Sequence, residues 1–517
     1  MEKNNIYERR VIATYPVIVA GAGLGGLGAA CQLALAGEKV LLLEKHNVPG
    51  GFATSFVRGR FEFEGALHEL SDIGSENNKG TLYKFLENLG VIPMKIKFKQ
   101  VPELYRSVFY DGYDVKIPFG FDEYTEKLIE LFPAEKEGIE GFVGVCRAIQ
   151  AGIDYIASKQ GKFTQEEILK EHPWLARVPG LTLMELFNKF IKDQKLIAVI
   201  SNIWGYVGLP PIRLNAYIFV AMLATFLKHG AVFPIGRSHA LTTAMVKAFE
   251  DLNGEIRYNA LVNRILVENG RVCGVELING DIYRCKAVIS NVNPICTTMK
   301  MLPPEIVPDN YKKEIYAPEI GVSAFSVYLG LNTTPENLGL DAHETFINET
   351  YDMNEAYETF KKLKPPKYIV AACYNHVDDT ISPPGTTQLV LTTLQMGKLW
   401  YNISPDQYHK IKDFIGDKMV ESVEKTLSPN LRDYIEVAEG ATPLTYYRYS
   451  KNMDGAVYGY TQDILNGPLL RLKSRGAIPG LYQVGSWTNF GGGYSTTILS
   501  GRIAAGMYLE DKKEGSW

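Results

Sequence analysis

The sequence predicts an α/β protein with two domains, of which the first is discontinuous and the second combines a mixed sheet with helices. Three observations predict this fold class. A strand, a glycine-rich turn, a helix and a second strand occur near residue 20. Short strands with Asn-Gly turns occupy residues 255–290, and a strand, a glycine-rich turn and a helix lie beyond residue 480. A chain of 517 residues exceeds the ~250–300 residues at which one core stops growing, so we expect two domains.

The first unit has the pattern of a βαβ fold. Residues 16–20 (PVIVA) are a short β-branched run, residues 24–35 are an apolar stretch of helical length, and residues 39–43 (KVLLL) read as a second buried strand. The turn between the first strand and the helix carries the motif GxGxxG. This context predicts a Rossmann-like fold that binds a dinucleotide.

Each glycine of the motif has a physical role. Gly21 permits the tight turn, Gly23 lets the backbone approach a pyrophosphate, and Gly26 allows close packing of helix and strand. The N–H groups at the start of the helix, including those of Leu24 and Gly25, face the anion. The alternative, a glycine-rich turn without a ligand, is disfavoured because the motif and both strands agree.

An acidic residue completes the dinucleotide fingerprint. Glu44 ends the second strand, eighteen positions beyond Gly26, where a carboxylate accepts hydrogen bonds from the adenosine ribose. Lys45 follows it. We therefore predict that Glu44 and Lys45 bind the nucleotide.

The remaining segments complete the two domains. Residues 255–290 predict an antiparallel meander, and its last strand, residues 287–290, returns to the first sheet. Helices are predicted at residues 123–132, 183–191 and 414–424, with a hairpin turn at Asp111-Gly112. Further strands are predicted in the segments VSAFSVYLGL, YIVAACY and TQLVLTTL, and residues 481–484 and 495–509 predict a final strand and helix. We assign residues 1–75, 230–300 and 446–517 to the dinucleotide-binding domain, and residues 76–229 and 301–445 to a substrate-binding domain.

Composition excludes several function classes. The net charge is −4 and no basic run is interleaved with aromatic residues, so nucleic acid is not an expected partner. The six cysteines form no CxxC pair and the histidines lack metal-ligand spacing, so we expect no metal site. The N-terminus does not resemble a secretory signal, and the longest apolar stretch, residues 216–227, is shorter than the ~20 residues of a membrane span. We expect a cytoplasmic protein.

The segment after Glu44 distinguishes a flavin from a nicotinamide. The residues EKHNVPGGFATSFVRGRFEFEGALH resemble the paired-glycine region of FAD-dependent amine oxidases and, more closely, that of carotenoid desaturases, carotenoid isomerases and retinol saturases. This resemblance implies that Gly50, Gly51 and Ser55 contact FAD, and that residues 58–61 lead a strand to the flavin ring.

The resemblance recurs along the chain. It appears at residues 233–237 (FPIGR) and again at residues 480–487 and 491–495. It implies that the backbone of Val262 pairs with adenine, and that the last block binds the flavin through Gly485, Ser486, Gly493, Tyr494 and Ser495. Many relatives carry an acidic residue where this chain has Ser486. The N-terminus of the final helix would favour negative charge on the flavin as it is reduced.

Catalytic candidates are few. His68 and Glu64 follow the paired-glycine segment and could position substrate or move a proton; the alternative is a structural role, because the flavin itself can carry the chemistry. Arg237 could face the flavin or substrate, or it could cap a helix or pair with Glu69. Five tyrosines, at positions 446, 447, 449, 458 and 460, could line a tunnel or pack in the core.

The resemblance implies an FAD-dependent oxidoreductase or isomerase that acts on C–H or C=C bonds of an apolar, isoprenoid or polyunsaturated substrate. Desaturation, saturation and isomerisation all stay open. No second GxGxxG is present, so net redox chemistry would need an external electron carrier, quinone or dioxygen. The apolar stretch at residues 217–226 is either a buried helix or a contact with a membrane surface. The alternatives are a flavin amine oxidase and a non-catalytic prenyl- or lipid-binding protein.

Overall fold

The computed structural model describes residues 10–159, 163–468 and 470–515. The sequence-based predictions for residues 1–9 and 516–517, which include the outer limits of the first domain and the start of the N-terminal segment, lie outside the described residues. The predicted α/β class, with a Rossmann-like domain and a second domain of mixed sheet and helices, is confirmed.

The strands are β1 (Arg10–Ala20), β2 (Val40–Leu43), β3 (Ser55–Arg58), β4 (Phe61–Glu64), β5 (Gly74–Ser75), β6 (Asn78–Lys79), β7 (Phe98–Gln100), β8 (Tyr105–Phe109), β9 (Asp114–Ile117), β10 (Val232–Pro234), β11 (Glu255–Arg257), β12 (Val262–Glu268), β13 (Arg271–Leu277), β14 (Asp281–Ser290), β15 (Ser323–Leu331), β16 (Glu344–Asn348), β17 (Tyr368–Cys373), β18 (Thr387–Gln395), β19 (Ile435–Ala441) and β20 (Leu481–Gln483).

The helices are α1 (Leu24–Leu35), α2 (Thr81–Asn88), α3 (Phe121–Leu131), α4 (Lys136–Ser158), α5 (Gln165–Glu171), α6 (Pro173–Arg177), α7 (Leu183–Phe187), α8 (Gln194–Ser201), α9 (Ala216–His229), α10 (Arg237–Asp251), α11 (Pro294–Cys296), α12 (Asp309–Tyr316), α13 (Met353–Phe360), α14 (Pro405–Thr426), α15 (Pro443–Ser450) and α16 (Tyr494–Glu514).

The first sheet is built from segments far apart in sequence. Its order is β11-β2-β1-β14-β13-β12, with β20 paired to β14. Strand β14 lies parallel to β1, with Ala287 opposite Val17, so the predicted return of the chain to this sheet is confirmed. The predicted meander consists of β12, β13 and β14. Strand β11 is not part of it, because it pairs in parallel with β2 instead.

Helices α1 and α16 cross on one face of this sheet at glycines. A Cβ atom on Gly501 would lie 2.0 Å from the carbonyl oxygen of Gly25. A Cβ atom on Gly28 would lie 2.2 Å from the carbonyl oxygen of Ile498. Because neither position has room for a side chain, the two helix backbones touch. This contact brings the N-termini of both helices to the same edge of the sheet.

The second sheet has the order β19-β15-β18-β17-β16-β8-β9. The predicted hairpin at residues 111–112 joins β8 to β9. Along β15, Phe325 and Val327 belong to the core under α14, whereas Ala324 and Ser326 line the central cavity. The sheet therefore separates a packed core from the cavity, as its alternating side chains require.

Several predicted elements need correction. The helix predicted at residues 183–191 ends at Phe187, and the helix predicted at residues 414–424 extends over Pro405–Thr426. Strands β16 and β19 were not predicted. Within the described ranges, no helix combines the length and apolar character that a membrane crossing requires.

Candidate active site

A cavity of about 1530 Å³ runs from the glycine-rich turns of the first sheet to the inner face of the second. Glycines 21, 23, 50, 51, 485 and 493 line one end of it. At the other end are His68, Tyr206, Tyr458 and one face of α9. The cavity thus joins two chemically different chambers, one lined by backbone and one lined by side chains.

The glycine turn is held in place by backbone hydrogen bonds. The N–H of Gly21 donates to the carbonyl of Leu43 at 2.7 Å, and the N–H of Gly50 donates to the carbonyl of Ala22 at 2.8 Å. Gly23 is the N-cap of α1 and its helix has no side-chain cap. The first turn of α1 therefore keeps unpaired N–H groups and the positive end of the helix dipole for an anion.

Glu44 lies beside this turn and is almost fully buried. Its Oε2 accepts a hydrogen bond of 2.7 Å from the N–H of Ala22, and its Oε1 accepts one of 2.8 Å from the N–H of His46. Each carboxylate oxygen keeps a second lone pair, and Glu44 lines the cavity. The carboxylate is therefore fixed in position and still able to accept hydrogen bonds from sugar hydroxyls.

Helix α16 contributes a second uncapped N-terminus. Its N-cap is Gly493, with a φ of 109° and no side-chain cap. The Tyr494 hydroxyl donates to the carbonyl of Phe52 at 3.0 Å, and the Ser495 hydroxyl donates to the carbonyl of Ser71 at 2.6 Å. The first bond fastens the start of α16 to the paired-glycine loop, and the second fastens it to the segment after β4. The cavity therefore receives two helix N-termini, both of which favour negative charge.

The end of the cavity away from the glycine turns holds a cluster of ionisable side chains. Nδ1 of His68 lies 2.6 Å from Oε1 of Glu344, and the Tyr206 hydroxyl donates to Oε2 of the same carboxylate. Glu69 lies in the same cavity wall. Burial raises the pKa of Glu69 well above its usual range, and the charge of Glu344 raises it further.

Comparisons with known proteins agree with this geometry. The profile of an NAD(P)-binding Rossmann-like domain matches residues 19–89. The chain is 29% identical to a chloroplastic prolycopene isomerase of Daucus carota, over 96% of this chain and 81% of that protein. It is 25% identical to an all-trans-retinol 13,14-reductase of Danio rerio, over 88% of this chain and 79% of that protein. The chain is thus similar to prolycopene isomerases and a retinol 13,14-reductase over most of its length. The resemblance stated from the sequence is thereby confirmed.

A solved structure supports the same fold. An oxidoreductase from Methanosarcina mazei superposes with a TM-score of 0.64 at 16% identity, covering 96% of this chain and 100% of that one. The Rossmann-like match confirms the coarser part of the cofactor prediction, which is a dinucleotide-binding domain.

Most residues predicted to bind the cofactor line the cavity. They are Gly21, Gly23, Leu24, Glu44, Lys45, Gly50, Gly51, Val262, Gly485, Ser486, Gly493, Tyr494 and Ser495. Their individual contacts with a cofactor stay predictions. Nζ of Lys45 donates to the carbonyl of Tyr449 at 2.6 Å, and burial lowers its pKa.

Three predicted cofactor residues lie elsewhere. Ser55 is outside the cavity lining, and its hydroxyl donates to the carboxylate of Glu62 on the neighbouring strand. The predicted contact of Ser55 with a cofactor stays a prediction that this placement does not support. Gly25 and Gly26 also lie behind the lining. A Cβ on Gly26 would sit 1.9 Å from the carbonyl oxygen of Gly21, which is the close-packing role predicted for it.

Of the three catalytic candidates, Arg237 does not reach the cavity. Its Nε donates to the carbonyl of Glu62 at 2.9 Å, another guanidinium nitrogen donates to the carbonyl of Ile381, and Nη1 lies 3.4 Å from the Glu62 carboxylate. The predicted catalytic role of Arg237 stays a prediction that this placement does not support. The alternative pairing with Glu69 is wrong, because the acidic partner is Glu62.

His68 and Glu64 both line the cavity. Glu64 accepts hydrogen bonds from the N–H and hydroxyl of Ser238 at 2.8 and 2.6 Å, and from the N–H groups of Leu67 and Ala66 at 3.0 and 3.2 Å. Burial raises the pKa of Glu64, and these hydrogen bonds lower it in part. Through the bonds to Ala66 and Leu67, Glu64 holds the loop that carries His68.

Sequence reasoning missed Glu344, Tyr206 and Glu69 as site residues. Glu344 lies on β16, a strand that was not predicted. Of the five clustered tyrosines, those at 446, 449 and 458 line the cavity, whereas those at 447 and 460 do not. The apolar stretch in α9 is a buried helix: Phe219 and Leu223 are in the core, and the helix turns its other face to the cavity.

Proposed function

We propose that this protein is an FAD-dependent enzyme, an oxidoreductase or isomerase of the desaturase type, which acts on C–H or C=C bonds of an apolar polyene. One observation carries the proposal. A single cavity receives two uncapped helix N-termini and the buried carboxylate of Glu44 at one end, and it continues into an apolar chamber at the other. The relatives named above, a prolycopene isomerase and a retinol 13,14-reductase, supply the substrate class.

The residues at the glycine-turn end of the cavity fit FAD. The first turn of α1 offers N–H groups to a diphosphate, and Glu44 accepts hydrogen bonds from the adenosine ribose. Gly51 leaves the approach to the turn open because it has no side chain. A Cβ at this position would lie 3.4 Å from the Cα of Gly23 and would narrow the approach. The N-terminus of α16 favours negative charge on the pyrimidine edge of an isoalloxazine. FAD bound here would supply hydride exchange with an adjacent carbon.

The cavity has room for a second ligand. Binding pockets for one small molecule typically measure about 300–1,000 Å³, whereas this cavity measures about 1530 Å³. Its far chamber is lined by apolar side chains, among them Ile218, Met222 and Val457. These side chains exclude water and orient an apolar chain by shape, because they offer it no hydrogen bonds. We propose that a polyene lies in this chamber.

Electrons for net redox chemistry would come from outside the chain. The sequence holds one GxGxxG motif, and that motif serves the cofactor proposed here. We propose an external carrier, a quinone or dioxygen as the electron partner. For an isomerase, no net electron transfer is needed.

The test is anaerobic incubation of the purified yellow protein with polyenes, unsaturated fatty acids, steroids and amines. Bleaching by an apolar substrate, or turnover of a polyene by prereduced protein, supports the proposal. Product mass then separates saturation, which adds two hydrogens, from isomerisation, which leaves the mass unchanged. Bleaching by amines alone would indicate an amine oxidase. A colourless protein that releases no flavin on denaturation would indicate a non-catalytic lipid-binding protein.

A further inference from the structure

Glu344 links two side chains that reach it from different parts of the fold. It lies on β16 and is 1% exposed. Its Oε1 is 2.6 Å from Nδ1 of His68, and its Oε2 accepts the Tyr206 hydroxyl. Nε2 of His68 makes no hydrogen bond to any described residue, and His68 lines the cavity. This nitrogen is therefore the ring atom available to a substrate.

Glu69 adds a buried carboxyl without a hydrogen-bond partner. The residue is 9% exposed, and among the described residues neither carboxyl oxygen makes a hydrogen bond. Burial, and then the charge of Glu344, raise its pKa well above the usual range, whereas the Tyr206 hydroxyl lowers the pKa in part. An ionised carboxylate in this environment would carry a large desolvation cost, so the group holds its proton.

The hydrogen-bond partners of these two carboxyls include no lysine or arginine among the described residues. The titratable groups acting on Glu69, Tyr206 or Glu344 include those of Glu103, His343, Tyr368, Tyr374 and Tyr458. Burial lowers the pKa of His343, and its Nε2 donates to the carbonyl of His68. His68 is therefore the side chain beside Glu344 that can take up a proton from it.

We propose that Glu69, Tyr206, Glu344 and His68 form a proton relay that exchanges one proton with a carbon of the polyene. This inference rests on the proposed function and names the groups that move the proton. The Tyr206 hydroxyl passes its proton to Glu344 and takes one from Glu69, Glu344 passes its proton to Nδ1 of His68, and Nε2 of His68 delivers a proton to the substrate. Each member is a hydroxyl, carboxyl or imidazole, which are the side chains that carry general acid–base catalysis.

The step balances without a further reagent. One π electron pair of the polyene forms a new C–H bond with the proton from Nε2, and a cation delocalised over the remaining double bonds is left. The former double bond rotates as a single bond. Return of the proton to Nε2 restores the double bond as a geometric isomer, so no oxidant or reductant is consumed.

The first measurement needs neither flavin nor substrate. Infrared spectra of the protein in H₂O and D₂O report protonated carboxyls through a C=O band that shifts on deuteration. Burial also raises the pKa of Glu64 and Asp72, so the band is assigned by difference between variants. Glu69→Gln should remove one component at neutral pH, whereas Glu250→Gln, an exposed control on α10, should remove none. An unchanged band in Glu69→Gln would overturn the proposal.

The second measurement follows turnover in D₂O. The wild-type protein should incorporate deuterium at a single polyene carbon, and Glu69→Gln and His68→Gln should lose at least about 100-fold in turnover. Flavin content should stay unchanged in both variants, which separates failure of the relay from loss of the proposed cofactor site. Turnover within about threefold of wild type in Glu69→Gln, or product without deuterium, would contradict the relay.

Discussion

Nε of Arg471 donates a hydrogen bond of 2.8 Å to the carbonyl oxygen of Thr488. The same guanidinium donates to the carbonyls of Ser486 at 2.8 Å, Thr461 at 3.2 Å and Tyr460 at 3.3 Å. Burial lowers the pKa of Arg471 to about 10, so the group stays charged at neutral pH. Arg471 thus joins residues 486–488 to residues 460–461 through four carbonyl oxygens.

We expect Arg471→Met to lower the free energy of unfolding by about 3–5 kcal/mol, because buried carbonyls lose their charged donor. Flavin content should fall, since Ser486 and its neighbours would no longer be held against the cavity. Arg471→Lys should rescue little, because an ammonium cannot span four carbonyls. Denaturant titration and flavin absorbance measure both effects. Arg475→Met is the control, because this arginine pairs with Asp511 at the surface. If Arg475→Met lowered the free energy of unfolding by more than about 1 kcal/mol, the loss in Arg471→Met could not be assigned to its buried hydrogen bonds.

Glu44→Gln should weaken FAD binding by roughly 10–100-fold. The carboxylate accepts N–H bonds from Ala22 and His46, and an amide would place its own N–H₂ against one of these donors. Equilibrium dialysis of apoprotein with FAD measures the affinity. Glu250→Gln on the surface of α10 is the matched control. Unchanged affinity in Glu44→Gln would remove Glu44 from the cofactor site.

Gly26→Ala should abolish stable folding of the cofactor site. The new Cβ would lie 1.9 Å from the carbonyl oxygen of Gly21, a backbone atom that cannot move without opening the turn. Gly144→Ala in α4 is the control, because no atom lies within 4 Å of its Cβ; an alanine there should raise stability by about 0.5–1 kcal/mol. Thermal unfolding and flavin release report both. A Gly26→Ala protein with normal flavin content would contradict the packing.

Asp72 should make stability depend on pH. Its carboxylate caps α2 by accepting the N–H groups of Thr81 at 2.9 Å and Leu82 at 3.0 Å, and burial raises its pKa from 3.8 to about 6. Between these two values the unfolded chain loses the proton while the folded chain keeps it. The free energy of unfolding of the wild type therefore falls relative to that of Asp72→Asn as pH rises from 4 to 6, by up to about 3 kcal/mol. Above this range the difference between the two proteins is constant.

Denaturant titrations of the wild type and Asp72→Asn at several pH values test this sign. Comparison with the asparagine variant cancels the titration of all other groups, since asparagine has no proton to lose and keeps the shape of the side chain. The opposite result would be a wild-type free energy of unfolding that rises relative to that of Asp72→Asn between pH 4 and 6. It would show that Asp72 is ionised more readily in the folded protein than in the unfolded chain.

The parts of the fold that sequence reasoning found are local. The βαβ unit, the hairpin at residues 111–112 and the Asn-Gly turns each need only neighbouring residues. Strand β16 was missed because its five residues, ETFIN, include a glutamate and an asparagine, yet all five are buried. It is stabilised by pairing in parallel with β8, more than two hundred positions earlier. That non-local pairing places Glu344 against His68, and no local pattern encodes it.

The partners of Arg237 and Ser55 could not be predicted from the sequence for the same reason, which is that they come from other segments of the chain. Arg237 reads as a functional arginine after a glycine turn, but its partner Ile381 comes from a distant segment. Ser55 follows a glycine pair as a ligand-binding hydroxyl would, but the hairpin of β3 and β4 brings Glu62 within reach of it. In both cases a tertiary contact decides which polar partner the side chain meets.

The crossing of α1 and α16 constrains how the protein matures. Gly25 belongs to a helix that a ribosome makes early, and Gly501 belongs to one that it makes late, yet neither helix end faces the ligand correctly without the other. A chain interrupted before residues 494–514 would lack this crossing. We expect such a product to bind the proposed flavin weakly, however much of its remaining structure had formed.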